Sequence, residues 1–198
     1  MPKKILGCVI LALLILGAAG CKQAVAPGRI VFLGDSLTAG YGLEPTEAYP
    51  ALIQIDQMEC VNLGVSGDEV SQGLTRLQAY FAKGNDASLV VIALGANDIL
   101  HGASPGVMTS GLKETIGECK SRDIPVLLCG VNIPLLHGSE GFKTVAKEEK
   151  VPFMPDLLAS VLGHRPLMQG DDAHPNAEGQ KVIAQHMEKA LRSKFRLP

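Results

Sequence analysis

Five short apolar runs, at 30–33, 59–63, 89–94, 125–129 and 151–154, punctuate this chain, with amphipathic stretches between them. Runs of four to six residues are short for helices and suit strands buried on both faces. The stretches at 48–55, 69–83, 105–122 and 141–150 read as helices, and 176–195 makes a closing helix with Pro175 near its first turn. Strands that alternate with helices imply a parallel sheet, because each connection crosses back over a face of it. The expected fold is α/β with helices on both faces.

In such a sheet, ligands bind beyond the carboxyl ends of the strands, where loops converge and helix N-termini present N–H groups. Ser36, in Gly34-Asp35-Ser36-Leu37, follows the first run; Gly67, in Val65-Ser66-Gly67-Asp68, follows the second. Asn97, in Gly95-Ala96-Asn97-Asp98, follows the third, and Asp171 and His174, in Asp171-Asp172-Ala173-His174-Pro175, precede the last helix. Each motif alone is an ordinary turn or helix start. In this order they bring a hydroxyl, an imidazole, a carboxylate and hydrogen-bond donors to one edge of the sheet.

A serine hydroxyl becomes a useful nucleophile when a neutral imidazole accepts its proton, and a carboxylate then fixes the imidazole tautomer. Attack on an ester carbonyl leaves negative charge on oxygen, which donors held around it stabilise. Ser36, at the start of a helix-like segment, also offers its backbone N–H and the positive end of a helix dipole. Glycine at 67 removes a side chain that would crowd an acyl group.

These motifs, with Asn62-Leu63-Gly64 before the second and Asn176-Ala177-Glu178-Gly179 after the last, resemble the SGNH hydrolases, also named for their Gly-Asp-Ser-Leu motif. The chain is most similar to their bacterial exported arylesterase, thioesterase and lysophospholipase branch. The resemblance implies a three-layer α/β/α fold with a flavodoxin-like parallel sheet of about five strands. It makes Ser36 the nucleophile, His174 the base and Asp171 the orienting acid. The N–H groups of Ser36 and Gly67 and the Asn97 amide become the oxyanion hole. The implied reaction is hydrolysis of short- to medium-chain acyl esters through an acyl-enzyme, with no cofactor. The other function class is a lipoprotein that keeps the fold as a non-catalytic binding or scaffolding module.

Rival residues fit less well. Ser66 has no paired acid and base and reads as loop support. His101 reads as a surface or core histidine, and His137, His164 and His186 offer less. Asp-x-x-His spacing selects Asp171 over Asp172, which reads as a loop residue, while Asp35 and Asp98 brace their turns. No Gly-x-Ser-x-Gly elbow is present, which argues against the α/β-hydrolase class. Against the family pattern, Ala96 replaces a glycine that often precedes the asparagine, and the stretch 132–150 is shorter than in the arylesterase branch. Leu100, Leu135, Leu136 and Met168 are the residues placed to touch an acyl chain.

The chain opens Met1-Pro2-Lys3-Lys4 and then carries no charge from Ile5 to Gly20, a basic and then apolar leader too short for the roughly 20 residues of a membrane span. It closes with Ala18-Ala19-Gly20-Cys21, which resembles a lipobox. Residues 1–20 are thus expected to be a signal peptide, and Cys21 the acylated residue of a tether over 21–28. The hydrolase domain then spans 29–198, and the protein sits in the bacterial cell envelope, with ordinary secretion and an uncleaved anchor as the alternatives. A single domain with a sizeable core fits the remaining length.

Eighteen basic residues, two of them in the leader, face twenty acidic ones with no Lys/Arg cluster, so nucleic acid is not an expected partner. Cys60, Cys119 and Cys129 lie in strand-like or helix-like runs and read as small buried hydrophobes, although export permits a disulfide. No Cys-x-x-Cys or His-x-x-x-His pair supplies metal-ligand spacing, and no metal is assigned. The oligomeric state is not legible.

Overall fold

The computed structural model describes residues 22–133, 136 and 139–198. The leader, Cys21, Leu135 and His137 lie outside the described residues. In chain order the elements are β1 (Gln23–Ala24), β2 (Gly28–Gly34), α1 (Ser36–Ala39), α2 (Tyr49–Leu52), β3 (Met58–Gly64), α3 (Val70–Ala82) and β4 (Leu89–Ala93). They continue with α4 (Ala96–Leu100), α5 (Pro105–Lys120), β5 (Val126–Cys129), α6 (Glu140–Glu149), β6 (Phe153–Met154), α7 (Ala177–Lys194) and β7 (Phe195–Arg196).

All five expected strands join one parallel sheet in the order β3-β2-β4-β5-β6. The step from β2 to β3 runs one way and every later crossover runs the other. With right-handed crossovers, the first connection lies on one face and those through α3, α5 and α6 on the opposite face. Accordingly α5 contacts both α3 and α6, while α7 returns to pack on α2. This gives the expected three layers. Strands β4 and β5 are buried along their whole length, as runs without alternation require. Phe32 of β2 meets the fully buried Tyr49 ring edge-on, at 5.6 Å between centroids.

The chain reverses its direction of travel across the sheet after β3, so the connections that leave β2 and β4 lie on opposite faces and the switch point lies between those two strands. Gly34 pairs in register with both Gly64 and Ala93, so three strands end at one level. The loops bearing Ser36, Gly67 and Asn97 leave the sheet from that level. Gly64 is glycine for lack of room: a Cβ there would stand 2.3 Å from the Ala39 nitrogen of α1.

Two expectations change. The stretch 48–55 is not one helix: Pro50 fits the first turn of a helix, and α2 ends at Leu52. Beyond it Ile53 and Ile55 are buried around an exposed Gln54, the alternation of extended chain. The expected tether is partly built into the domain. Gln23 and Ala24 pair in parallel with Phe195 and Arg196, the Val25 N–H donates to the Arg196 carbonyl at 3.0 Å, and Val25 is buried. Its apolar character there is one valine among alanines, too slight to read as a strand.

Cys60, Cys119 and Cys129 are free thiols, and burial pushes Cys60 up to about 11 and Cys119 up to about 12. No described helix is long and apolar enough to cross a membrane. Among the described residues no group of three or more His, Cys, Asp or Glu is placed to hold a metal ion.

Candidate active site

Asp171 organises its own loop. Its Oδ1 accepts the N–H groups of Ala173 at 3.0 Å and His174 at 2.9 Å, and its Oδ2 lies 2.7 Å from His174 Nδ1. The spacing seen in sequence follows from this geometry, because an aspartate that bonds the amides two and three residues on has only its second oxygen left for the ring. Those hydrogen bonds, from the His174 backbone first and its ring second, hold the Asp171 carboxyl down at about 2. An ionised Asp171 accepts a hydrogen bond from Nδ1–H, which leaves Nε2 free to accept. Nε2 stands 3.0 Å from Ser36 Oγ.

The loop is held from below. Met168 and Pro175 form an antiparallel bridge at its neck, and the Gln169 N–H donates to the His174 carbonyl at 2.7 Å. Asn176 caps α7 by accepting the Gly179 N–H at 3.0 Å, while its amide donates to the carbonyls of Pro166 and Met168. Asp172 adopts φ +55° and is exposed, with Arg165 3.9 Å away, and it makes none of the imidazole's hydrogen bonds.

On the other side, buried Asp35 caps α1 by accepting the Leu37 N–H at 3.0 Å, which sets Ser36 at the first helical position. Asp98 Oδ2 accepts the Val70 N–H at 3.1 Å, tying α4 to the start of α3. The Asn97 amide donates to the Asp68 carbonyl at 2.9 Å and keeps a second N–H. Gly67 has φ +85°, and a Cβ added there meets no protein atom within 4 Å. The protein's own demand for glycine at 67 is therefore conformational rather than one of space.

Beside Ser36 opens a cavity of about 350 Å³ lined by apolar side chains, among them Leu37, Leu100, Val131, Ile133, Leu158 and Leu162. Of the four residues expected against an acyl chain, Leu100 lines it. Met168 is buried in the core at the bridge, and Leu136 is exposed and not among the described lining residues. Leu158 and Leu162 went unnoticed in sequence, although they follow β6 and so sit at the same carboxyl edge as the motifs. Tyr41 also went unnoticed: its ring lies 4.6 Å from that of His174, tilted by 39°. Gln169 holds it there by donating to the carbonyls of Tyr41 at 2.6 Å and Pro175 at 3.0 Å. Among the rivals, His101 pairs with Glu69 at 2.8 Å, His164 is exposed, and His186 meets Ser160.

The chain belongs to the GDSL-like lipase/acylhydrolase family, whose model matches residues 32–182. It is 34% identical over 179 residues to the thioesterase 1/protease 1/lysophospholipase L1 of Escherichia coli K12, covering 85% of this chain and 86% of the relative. It is 32% identical over 194 residues to the esterase TesA of Pseudomonas aeruginosa, covering 91% and 92%. Among solved structures it resembles the psychrotrophic esterase EstA of a Pseudoalteromonas species inhibited by monoethylphosphonate. The TM-score is 0.78 at 27% identity, over 83% of this chain and 97% of that one.

Proposed function

We propose that this serine ester hydrolase attacks its substrate with Ser36, using His174 as base and Asp171 as the group that orients the imidazole and stabilises the imidazolium it becomes. The observation that carries the reading is the unbroken line from Asp171 through His174 to Ser36, with steps of 2.7 and 3.0 Å, at the mouth of an apolar cavity. Ser36 Oγ adds to the acyl carbonyl as its proton passes to His174 Nε2. The oxyanion is received by the N–H groups of Ser36 and Gly67 and the free N–H of Asn97, donors worth about 10²–10³ each in rate. Collapse expels the alcohol or thiol, which takes the proton from His174, and water releases the acid by the same steps in reverse order. A short- to medium-chain acyl group fits the cavity. Oxygen esters, thioesters and lysophospholipids share this chemistry, and the names of the relatives span all three.

A fluorophosphonate probe tests the assignment. It is expected to label Ser36, and Ser36→Ala to abolish both labelling and turnover of p-nitrophenyl esters; label that persists or sits on Ser66 overturns it.

We also propose export and lipid attachment at Cys21, which the uncharged run ending Ala18-Ala19-Gly20-Cys21 supports. Two or three acyl chains, at about 0.8 kcal/mol per buried methylene, hold a domain on a bacterial envelope membrane. Labelled palmitate should enter the wild type and not Cys21→Ala, which keeps its esterase activity. Soluble, unlabelled wild-type protein would instead favour ordinary secretion.

A further inference from the structure

Arg76 stands on α3, outside the motifs that carry the catalytic residue types, yet its guanidinium reaches the ends of two strands. Nε donates to the Leu63 carbonyl at 2.8 Å, Nη2 donates to the Gly34 carbonyl at 2.9 Å, and Nη1 pairs with the Asp68 carboxylate. Side-chain exposure is only 21% for Arg76 and 11% for Asp68, so solvent screens this pair little.

The three acceptors are distributed in a telling way. Gly34 ends β2, two residues before the Ser36 N–H. Leu63, paired with Leu33, is the last residue but one of β3, just before the chain turns towards Gly67, and the Val65 N–H also donates to the Gly34 carbonyl at 3.1 Å. Asp68 follows Gly67 directly, and its carbonyl accepts the Asn97 amide. A single planar cation thus reaches the segments that carry the Ser36 and Gly67 donors and, through Asp68, whose carbonyl accepts the Asn97 amide, is linked to the third. A helix or strand ladder does not do this, because the donors come from three different strand ends.

We propose that Arg76 is a positioning residue that fixes the mutual geometry of the Ser36, Gly67 and Asn97 donors before substrate arrives. Its fork spreads its donors across acceptors on separate segments, a task that the compact ammonium of lysine cannot reproduce. Donors preorganised in this way act on the charge that develops in the transition state, and hardly on ground-state binding. A misplacement of about 1 Å costs about 10²-fold in rate. Loss of Arg76 should therefore lower kcat and spare KM.

The inference rests on the esterase reading, and the experiment separates the two. Wild type, Arg76→Ala and Arg76→Lys are assayed on p-nitrophenyl butyrate, with rates expressed per active site titrated by fluorophosphonate, so that misfolded molecules do not count. Arg76→Ala is expected to lose about 10²-fold in kcat with KM within about threefold, and methylguanidinium to restore part of that loss. Arg76→Lys, which keeps the charge and packs a similar stem, should fold and still lose about tenfold. Affinity for an alkyl boronic acid, which forms a tetrahedral adduct with the serine, should fall in step with kcat/KM. An unchanged kcat per titrated site in either variant, or a loss confined to KM, overturns the positioning role while leaving the esterase reading intact. A wild type without ester turnover overturns both.

Discussion

Asp35 is the most heavily buried carboxyl next to the reacting hydroxyl, and burial pushes it up to about 6 against the opposing hydrogen bond from Leu37. A carboxyl raised above its unfolded value near 3.8 favours folding below that value, and the advantage is lost as pH rises through about 6. Asp35→Asn keeps an acceptor for the α1 cap and cannot ionise. Urea titrations should therefore show the variant gaining stability relative to wild type between about pH 4 and pH 6, with a constant difference above that. The two aspartates of the histidine loop separate by activity instead. Asp171→Asn, which removes the charge that stabilises the imidazolium, is expected to lower kcat by about 10⁴-fold, whereas Asp172→Asn alters an exposed loop residue and costs less than about tenfold. A larger effect at Asp172 at equal stability would reverse the assignment. Asp171 was legible in sequence because its bonds are local, made within three residues. Arg76 was not, because its partners Gly34, Leu63 and Asp68 come together only once β2 and β3 have paired.

Among the elements, the strands that are buried on both faces were the easiest to read, since nothing but a continuous apolar run can occupy such a place. The failures were short pieces. Helix α2 has four residues and a proline, and β1 and β7 have two residues each, so neither periodicity nor propensity accumulates over them. The acyl cavity was half legible: Leu100 stands three residues past Asn97 on α4, but Leu158 and Leu162 belong to an irregular turn with no signature of its own. That turn is expected to govern chain length. Leu162→Trp, which fills part of the cavity, should lower kcat/KM for a p-nitrophenyl octanoate by about tenfold and leave the acetate within about twofold, the worth of one or two buried methylenes. Equal losses on both esters would show that the substitution disturbs the catalytic groups rather than the acyl site.

At the scale of the whole molecule, the β1–β7 pair joins the two ends of the described chain and closes the domain on the side of the sheet's amino ends. Val25→Asp, which places a charge at a site only 6% exposed, should lower unfolding stability by roughly 2–4 kcal/mol in urea while kcat per titrated site stays at the wild-type value. Helix α7 begins just after His174 and runs 18 residues before it delivers Phe195 to that pair, about 27 Å away at 1.5 Å per residue. A lipid on Cys21, one residue before the first described one, would stand the enzyme on its base like a lamp on its foot, with the mouth aimed away from the leaflet that holds it. Amphiphiles embedded beside the anchor would be out of reach. Esters arriving through the aqueous compartment, or presented by a membrane opposite, would meet the open cleft first.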